Sequence, residues 1–240
     1  MTEHAIELVR HQPQRALNGL VAGVVGFSEH APGLVRRRQP AGSLIPLVLS
    51  FGNPIEVTAL SAGEGAGRTY GSFVAGLMPG HASTSFECSQ DCIQVYLTPR
   101  GAHRILGAPA SRLAGRVTAI DDIDGIGSPL GPTLSDRLHS AGTWRERFAV
   151  VEDVLLRLAV DGRDPDDVVT WMWQRICAGG GLARIGDLVD ETGWSHRHVT
   201  TRFREQIGLT PKAASAVVRF ERASAELGAV PLADLAVRHG

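Results

Sequence analysis

The chain has few features of a secreted, membrane-spanning or disulfide-rich protein. Its three cysteines are an odd number in 240 residues, which argues against a disulfide framework. The longest apolar runs, Leu20 to Phe27 and Ile45 to Leu49, are far shorter than the roughly 20 residues that cross a bilayer. The first ten residues lack the basic-then-apolar order of a signal peptide. We therefore expect a cytoplasmic protein that does not bind a membrane.

The sequence also lacks the short motifs that mark common catalytic sites. We find no Gly-x-Ser-x-Gly, no His-Glu-x-x-His and no pair of carboxylates spaced for acid–base catalysis. The segment from Gly63 to Gly67 is rich in glycine, but it lacks the Gly-Lys-Ser/Thr ending of a phosphate loop, so it predicts a hairpin loop. We therefore expect a protein that is not an enzyme and uses no cofactor.

Cys88 and Cys92 form the one sequence cluster that suggests a metal or redox site. Three residues separate them, so a hairpin could set the two sulfurs side by side, and His81 lies nearby in sequence. A structural zinc site needs four ligands, and no second Cys/His pair with suitable spacing is present. We expect no metal here, and we interpret the cysteines as small buried apolar residues.

A change of pattern along the chain predicts two domains in an α+β fold. Over 19–98, short runs of β-branched and aromatic residues alternate with turn residues, which indicates an antiparallel barrel or sandwich with room for a small ligand. Over 99–160 the apolar spacing becomes helical. The segment 162–165 then breaks the pattern. We predict a sensor and dimerisation domain at 1–164 and a second domain at 165–240.

Three details of the first domain bear on its contacts. The apolar stripe of Trp144 to Leu158 predicts a helix that packs on the β region or on a second copy of the chain, and we expect a homodimer through it. In a strand, side-chain alternation turns one of Arg36 to Arg38 inward and leaves two toward water. Asp164 is placed to cap a helix that has Pro165 at its first position.

The second domain contains an internal repeat. Ile185 to Gly193 and Leu232 to Gly240 match at apolar, Asp and Gly positions, 47 positions apart, which suggests one helical unit used twice. In the first copy Gly193 supplies a left-handed turn, and Ser195 is placed to cap the helix that follows. A helix, a glycine turn and a capped second helix are the sequence form of a helix-turn-helix, here over 184–208.

The second helix of this unit has two different faces. Val199, Phe203 and Ile207 recur at i, i+4 and i+8, so we predict that they face the core. The opposite face then carries cations and hydrogen-bond donors, namely Arg197, Thr200, Thr201 and Arg204, with His196 and His198 beside them. Such a face is usually only solvated, but the repeat, the turn glycine and the cap favour a surface that reads DNA. A linker helix over 210–227 leads to the second unit at 231–240.

Residues 165–240 resemble the DNA-binding domain of AraC-type (AraC/XylS) transcription regulators. The resemblance is carried by Ile185 to Pro211 (IGDLVDETGWSHRHVTTRFREQIGLTP) and by Leu232 to Gly240 (LADLAVRHG). It implies base contacts by Arg197, Thr200 and Thr201, and phosphate contacts by Ser195, Arg202 and Arg204, to which we add His196. Family members continue with a second recognition helix, so the resemblance implies a truncated DNA-binding domain. Residues 1–164 resemble the sensor half more loosely, mainly through Leu97 to Gly107.

We therefore expect a transcription regulator that binds double-stranded DNA sequence-specifically and responds to a small-molecule effector in its first domain. The sequence identifies neither the effector nor the residues that contact it. An alternative is a ligand- or metal-sensing module whose incomplete second unit no longer binds DNA. A third interpretation, an enzyme that uses a cavity in the β region, has no catalytic motif in its support.

Overall fold

A computed structural model of the protein describes residues 4–229 and 231–239. Its fold is mixed α and β, with an antiparallel sheet of eight strands that does not close on itself. The strands are β1 (Ala5–His11), β2 (Val21–Pro40), β3 (Ile45–Ser50), β4 (Ile55–Leu60), β5 (Arg68–Tyr70), β6 (Phe73–Ala75), β7 (His81–Leu97) and β8 (Val117–Ala119). The helices are α1 (Pro99–Leu106), α2 (Ala110–Leu113), α3 (Gly127–Leu130), α4 (Pro132–Ser140), α5 (Trp144–Asp161), α6 (Asp167–Ala178), α7 (Ile185–Thr192), α8 (His196–Ile207), α9 (Pro211–Ala225) and α10 (Leu232–His239).

The two long strands β2 and β7 form the centre of the sheet. They pair with each other over most of their lengths, and the other edge of β7 pairs with β4 in its first half and with β3 in its second half. The ladder is interrupted where residues 31–33 of β2 lie opposite Cys88, which adopts a left-handed φ of 62°. Extra residues of this kind bend a sheet. The result is one bent, open sheet in place of the predicted barrel or sandwich.

Both faces of the sheet carry apolar side chains. Leu47, Leu49 and Ile93 belong to a large cluster that includes residues of α1, α4 and α5. Val48 and Cys92 belong to a second cluster on the other face. This division follows from the period of two in a strand, which sends successive side chains to opposite faces. The first face therefore supports the helices, and the second is left to enclose a cavity.

The apolar core continues from the sheet into the second half of the chain. Buried residues of α6, α7, α8 and α9 belong to the same cluster as those of α1 and α5. The C-terminal end of α8 packs on α1 and α2. Gly208, directly after α8, lies so close to α2 that a Cβ there would be 3.0 Å from the carbonyl oxygen of Ala110. The segment 162–166 between α5 and α6 contains the predicted domain boundary, and α8 is seated against both sides of it.

Two local predictions about the first half are wrong. Cys88 and Cys92 do not flank a hairpin, because β7 continues through this polar segment as one strand and pairs with β2 on both sides of the interruption at Cys88. Asp164 does not cap a helix, because α6 begins only after Asp166. The Asp164 carboxylate instead accepts hydrogen bonds from Arg100 at 3.0 Å and from Arg104 at 2.9 Å. It thereby ties the segment before α6 to α1.

The stripe of α5 is buried within the chain itself. Phe148, Val151 and Leu155 are at most 3% exposed and belong to the main core. Of the two partners that we predicted for this stripe, the β region and a second copy, the structure therefore shows the first. Because the stripe is buried within the chain, it is not available as the surface of the expected homodimer.

The second copy of the repeat is helical, as its sequence predicts. α10 covers Leu232–His239, and Gly240, which the repeat aligns with Gly193, lies outside the described residues. Among residues 4–229 and 231–239, no helix combines the length and the apolar character required to cross a membrane.

Candidate functional site

α7 and α8 are joined by a three-residue turn with the predicted glycine and cap. Gly193 ends α7 with φ of 69°, and a side chain there would meet nothing within 4 Å, so its conformation rather than crowding favours glycine. The Ser195 hydroxyl accepts a hydrogen bond from the backbone N–H of His198 at 3.3 Å. Both local predictions are confirmed. The glycine turn and the serine cap together set the direction in which α8 leaves the turn.

The buried face of α8 is the one that its sequence predicts. Val199, Phe203 and Ile207 are 1%, 0% and 2% exposed. The same side also buries Gln206, whose Oε1 accepts a hydrogen bond from the backbone N–H of Asp166 at 2.8 Å. α8 is therefore fixed on one side by apolar packing and by a bond to the start of α6.

The opposite face of α8 carries most of the predicted contact residues. Arg197, Thr201 and Arg204 are exposed, as are Ser195, His196 and His198, whereas Thr200 is half-buried. Across residues 4–229 and 231–239, the guanidinium groups of Arg197 and Arg204 form no hydrogen bond or ion pair with the protein. Both groups are therefore available to a partner.

Arg202 is placed differently from these neighbours. Its Nε and Nη2 donate to the two carboxylate oxygens of Asp166 at 2.9 and 3.1 Å, and its Nη1 donates to Glu205 at 3.0 Å. The bond to the charged carboxylate lowers the pKa of Asp166 and raises the pKa of Arg202. Arg202 therefore binds α8 to the start of α6, and the phosphate contact that we predicted for it requires these bonds to break.

Of the two available arginines of α8, Arg197 lies at the N-terminal end and Arg204 in the last turn. The helix dipole adds partial positive charge to that of Arg197 at the N-terminal end. The Trp194 ring lies edge-on to the His198 imidazole, with 4.5 Å between ring centroids, and positions that side chain beside the turn. The preceding helix α7 exposes three carboxylates, those of Asp187, Asp190 and Glu191, of which Glu191 lies 3.7 Å from the Arg175 guanidinium. A polyanion would therefore meet favourable charge at α8 and unfavourable charge on α7, which restricts how it can approach.

A cavity of about 790 Å³ lies on the face of the sheet opposite the helices of the main core. Its lining is mostly apolar and includes Val25, Phe27, Val48, Ile55, Val57 and Phe73. The sequence predicted an interior that could hold a small molecule, but it did not identify lining residues. Alternation along the strands identifies the lining residues only after the register and bend of β2 and β7 are known.

Arg37 lies in the wall of this cavity, whereas Arg36 and Arg38 are exposed, as alternation in a strand predicts. Its Nη2 is hydrogen-bonded to the carboxylate of Glu29, a residue that is 0% exposed. Its guanidinium lies over the Phe27 ring, 5.4 Å from the centroid. Its Nε is buried and has no hydrogen-bond partner among the described residues.

Helix α9 closes one side of the cavity. Glu221, Ser224 and Ala225 contribute to the lining. Glu221 Oε2 accepts a hydrogen bond from the backbone N–H of Ser43 at 3.1 Å, and a Cβ at Gly42 would lie 3.3 Å from its Oε1. The wall of the cavity thus combines strands from the first half of the chain with the helix that follows α8.

The two cysteines of the predicted cluster lie in different environments. Cys88 is exposed, whereas Cys92 is buried, and burial raises the pKa of the Cys92 thiol to about 11. The interpretation as a buried apolar residue is therefore right for Cys92 and wrong for Cys88. In the part of the chain that the structure describes, no three His, Cys, Asp or Glu side chains are grouped so that they could hold a metal ion.

Comparison with known proteins adds no assignment to these two features. No protein-family model matches the chain, and no curated protein matches it either. The arguments about function therefore depend on the exposed face of α8 and on the cavity.

Proposed function

We propose that the protein is a sequence-specific DNA-binding transcription regulator. In this proposal α7, the Gly193 turn and α8 form a helix-turn-helix, and α8 enters the major groove of double-stranded DNA. One observation carries the proposal: the three apolar residues of α8 are buried, which leaves Arg197 and Thr201 exposed on the side away from the core. A helix presented in this way at a capped turn is the structure that major-groove readers use.

The exposed residues have the chemistry that base reading needs. Arg197 can donate two hydrogen bonds to guanine O6 and N7, and Thr201 can offer either its hydroxyl or its methyl group to a base edge. Thr200, which is half-buried, can reach a base only at the edge of the contact. The exposed groups of Ser195, His196 and Arg204 can bind phosphates. Ser195 and His196 have support from the positive end of the α8 dipole, whereas Arg204 lies in the last turn and acts through its own charge.

Selection of double-stranded DNA from a random library by the full chain tests this proposal. The affinities for a selected sequence and for a scrambled sequence are then measured at two salt concentrations. Nonspecific binding falls steeply with salt because it depends on counterion release, whereas base contacts preserve a preference. We expect the preference for the selected sequence to persist at the higher salt. Equal affinities for both sequences at both salt concentrations would contradict the proposal.

Two matched variants connect this test to α8. The double variant Arg197→Ala, Thr201→Ala removes exposed groups only, so it should fold normally and lose the preference. Arg145, an exposed residue on the first turn of α5, provides the control. Arg145→Ala should bind the selected DNA as the unmodified chain does. Loss of the preference in both variants, or in neither, would contradict the assignment to α8.

The cavity supports a second candidate function, that of a ligand-binding module without DNA binding. Its volume of about 790 Å³ lies within the usual range of small-molecule sites, roughly 300 to 1,000 Å³. The two candidates differ in one measurement, since only the regulator enriches a DNA sequence from the random library. Ligand binding together with an unenriched library would favour the module.

A further inference from the structure

The Nε of Arg37 has no hydrogen-bond partner in the part of the chain that the structure describes, and this indicates a ligand in the cavity. A buried N–H without a partner costs about 1–3 kcal/mol, and native proteins rarely leave one without a reason. About a third of the Arg37 side chain is exposed, but its Nε atom is buried. The bond to Glu29 and the contact with the Phe27 ring hold the guanidinium in this orientation. An oxygen atom brought by a bound molecule would satisfy this donor.

The charges around the cavity indicate what kind of molecule this is. Two cations, Arg37 and the exposed Arg10, and one carboxylate, Glu221, line the cavity. The buried carboxylate of Glu29 stands directly behind Arg37, and its other oxygen is hydrogen-bonded at 2.8 Å to the exposed imidazole of His4, which is not counted in this balance. These four charges balance. A bound anion or cation would add an unpaired charge to a mostly apolar site, where an uncompensated charge is costly. A neutral molecule with an acceptor oxygen satisfies Arg37 without that cost.

We propose that the cavity binds a neutral, largely apolar organic molecule whose carbonyl or hydroxyl oxygen accepts a hydrogen bond from Nε of Arg37. The apolar part of the molecule packs on the sheet face formed by residues such as Val48, Val57 and Phe73. Ser224 and Ala225 of α9 contact it from the other side. The ligand therefore lies between the sheet and the helix that follows α8.

This position gives the ligand a way to regulate the protein. A ligand shifts a conformational equilibrium only if it binds one arrangement better than another. α9 lies over the cavity through the hydrogen bond from Ser43 to Glu221, so a molecule in the cavity favours the arrangement in which α9 is docked. The regulatory part of the inference rests on the proposed function. The binding site does not, because its residues are defined without reference to DNA.

Displacement of a fluorescent dye from the full chain tests the site. Nile red, a neutral apolar dye with a carbonyl oxygen, is the probe, and its competitors are 2-decanone, decanoate and decylammonium. These three share a ten-carbon chain and differ in the charge of the polar group. We expect 2-decanone to displace the dye at a concentration at least about fivefold lower than either ion. Displacement of the dye by decanoate or decylammonium at a lower concentration than 2-decanone requires would overturn the assignment of a neutral ligand.

Two pairs of variants assign the binding to individual residues. Arg37→Lys keeps a cation beside Glu29 but removes the Nε donor, so it should weaken 2-decanone binding about tenfold. Arg38→Lys, at the exposed neighbouring position, should have no effect. Ala225 and Ala216 are both exposed positions of α9, but only Ala225 lines the cavity. Ala225→Trp should therefore fill the cavity from α9 and abolish dye binding, whereas Ala216→Trp should not. Equal binding by both members of either pair overturns the role given to that wall.

Hydrogen exchange of the α9 amides tests the coupling without DNA. Saturation with 2-decanone should slow exchange over residues 221–225 in the unmodified chain and leave the Ala225→Trp variant unchanged. Unchanged exchange in the ligand-bound chain would overturn the coupling. Because neither experiment contains DNA, failure of the DNA selection leaves their outcome intact, and their failure leaves the DNA proposal intact.

Discussion

Arg202 in the middle of α8 forms a two-bond ion pair with Asp166 at the start of α6, with N···O distances of 2.9 and 3.1 Å. The family resemblance implies a phosphate contact for Arg202, but its side chain forms bonds within the protein. The backbone N–H of the same Asp166 donates to Gln206 at 2.8 Å. Two residues of α8 therefore hold Asp166, the residue directly before α6, and this relationship fixes the orientation of α8.

Arg202→Ala should destabilise the protein slightly without changing the salt dependence of DNA binding. The ion pair is about one-third exposed on each side, so solvent screens it and its loss should cost about 1 kcal/mol or less. Arg204→Ala removes an exposed cation and should lower the slope of log affinity against log salt by about 0.9. Urea unfolding and DNA titrations measure the two quantities. A reduced salt slope in Arg202→Ala would show that Arg202 contacts phosphate after all.

The ion pairs of Asp164 and Asp166 should make stability depend on acid pH. Hydrogen bonds from Arg100 and Arg202 hold the two carboxyl pKa values below the ordinary value of about 3.9. The native state therefore binds protons less readily than the unfolded chain, so the stabilisation is present above about pH 4 and is lost as the pH falls through the native pKa values. We expect the double variant Asp164→Asn, Asp166→Asn to unfold more easily at pH 7, and its difference from the unmodified chain to shrink as the pH falls below about 4.

Thermal unfolding at several pH values measures this convergence. Asp124→Asn is the control, because Asp124 is exposed and forms no ion pair with another described residue. It should shift the unfolding temperature little at any pH. A constant difference between the double variant and the unmodified chain from pH 7 to pH 3 would exclude the proposed linkage.

Gly208 and Gly193 both have positive φ, yet their replacement by alanine should have unequal effects. Each substitution forces an alanine into the left-handed region, at a cost of about 1–2 kcal/mol. A Cβ at Gly193 meets nothing within 4 Å, whereas one at Gly208 lies 3.0 Å from the Ala110 carbonyl oxygen and 3.1 Å from the Ala114 Cβ. Gly208→Ala should therefore be the more destabilising of the two in urea unfolding. Equal destabilisation would mean that α2 moves away without resistance.

The parts of the fold that could be predicted from the sequence depend on local rules. The turn and cap around Gly193 and Ser195 need only neighbouring residues, and the burial of Phe203 follows from helical periodicity. The inward position of Arg37 follows in the same way from alternation along a strand. These features are visible in the sequence because each depends on a few consecutive residues.

The parts that could not be predicted depend on long-range pairing. The strand β7 continues through the polar segment around Cys88 because β2 pairs with it, and no local pattern shows this. Asp164 binds Arg100, 64 residues earlier, instead of capping α6. The cavity is completed by Glu221 from a distant helix. Sequence patterns predicted which face of a helix or strand is buried, but not which other element packs on that face.

The three cysteines should differ strongly in reactivity. Cys88 is exposed, whereas burial raises the pKa of the Cys92 and Cys177 thiols to about 11. At pH 8 each of these two has only about one part in a thousand of the reactive thiolate. We expect one rapidly reacting thiol per native chain with a disulfide reagent and three after unfolding in denaturant. Cys88→Ser should remove the fast phase, and a second fast thiol in the native chain would contradict the raised pKa of the buried Cys92 or the half-buried Cys177.

Arg197 and Arg204 should affect DNA binding in different ways, because they stand at different places along the exposed face of α8. Arg197 lies in the first turn, where a helix in the major groove reaches base edges, whereas Arg204 lies two turns later. Arg197→Ala should cost about 1–3 kcal/mol of discrimination at one base pair, and Arg204→Ala should weaken all sequences alike. Titration of each variant with the selected sequence and its single-base variants measures both effects. If Arg197→Ala weakens every sequence equally, Arg197 binds phosphate, and the specificity of α8 must come from Thr201 and its neighbours.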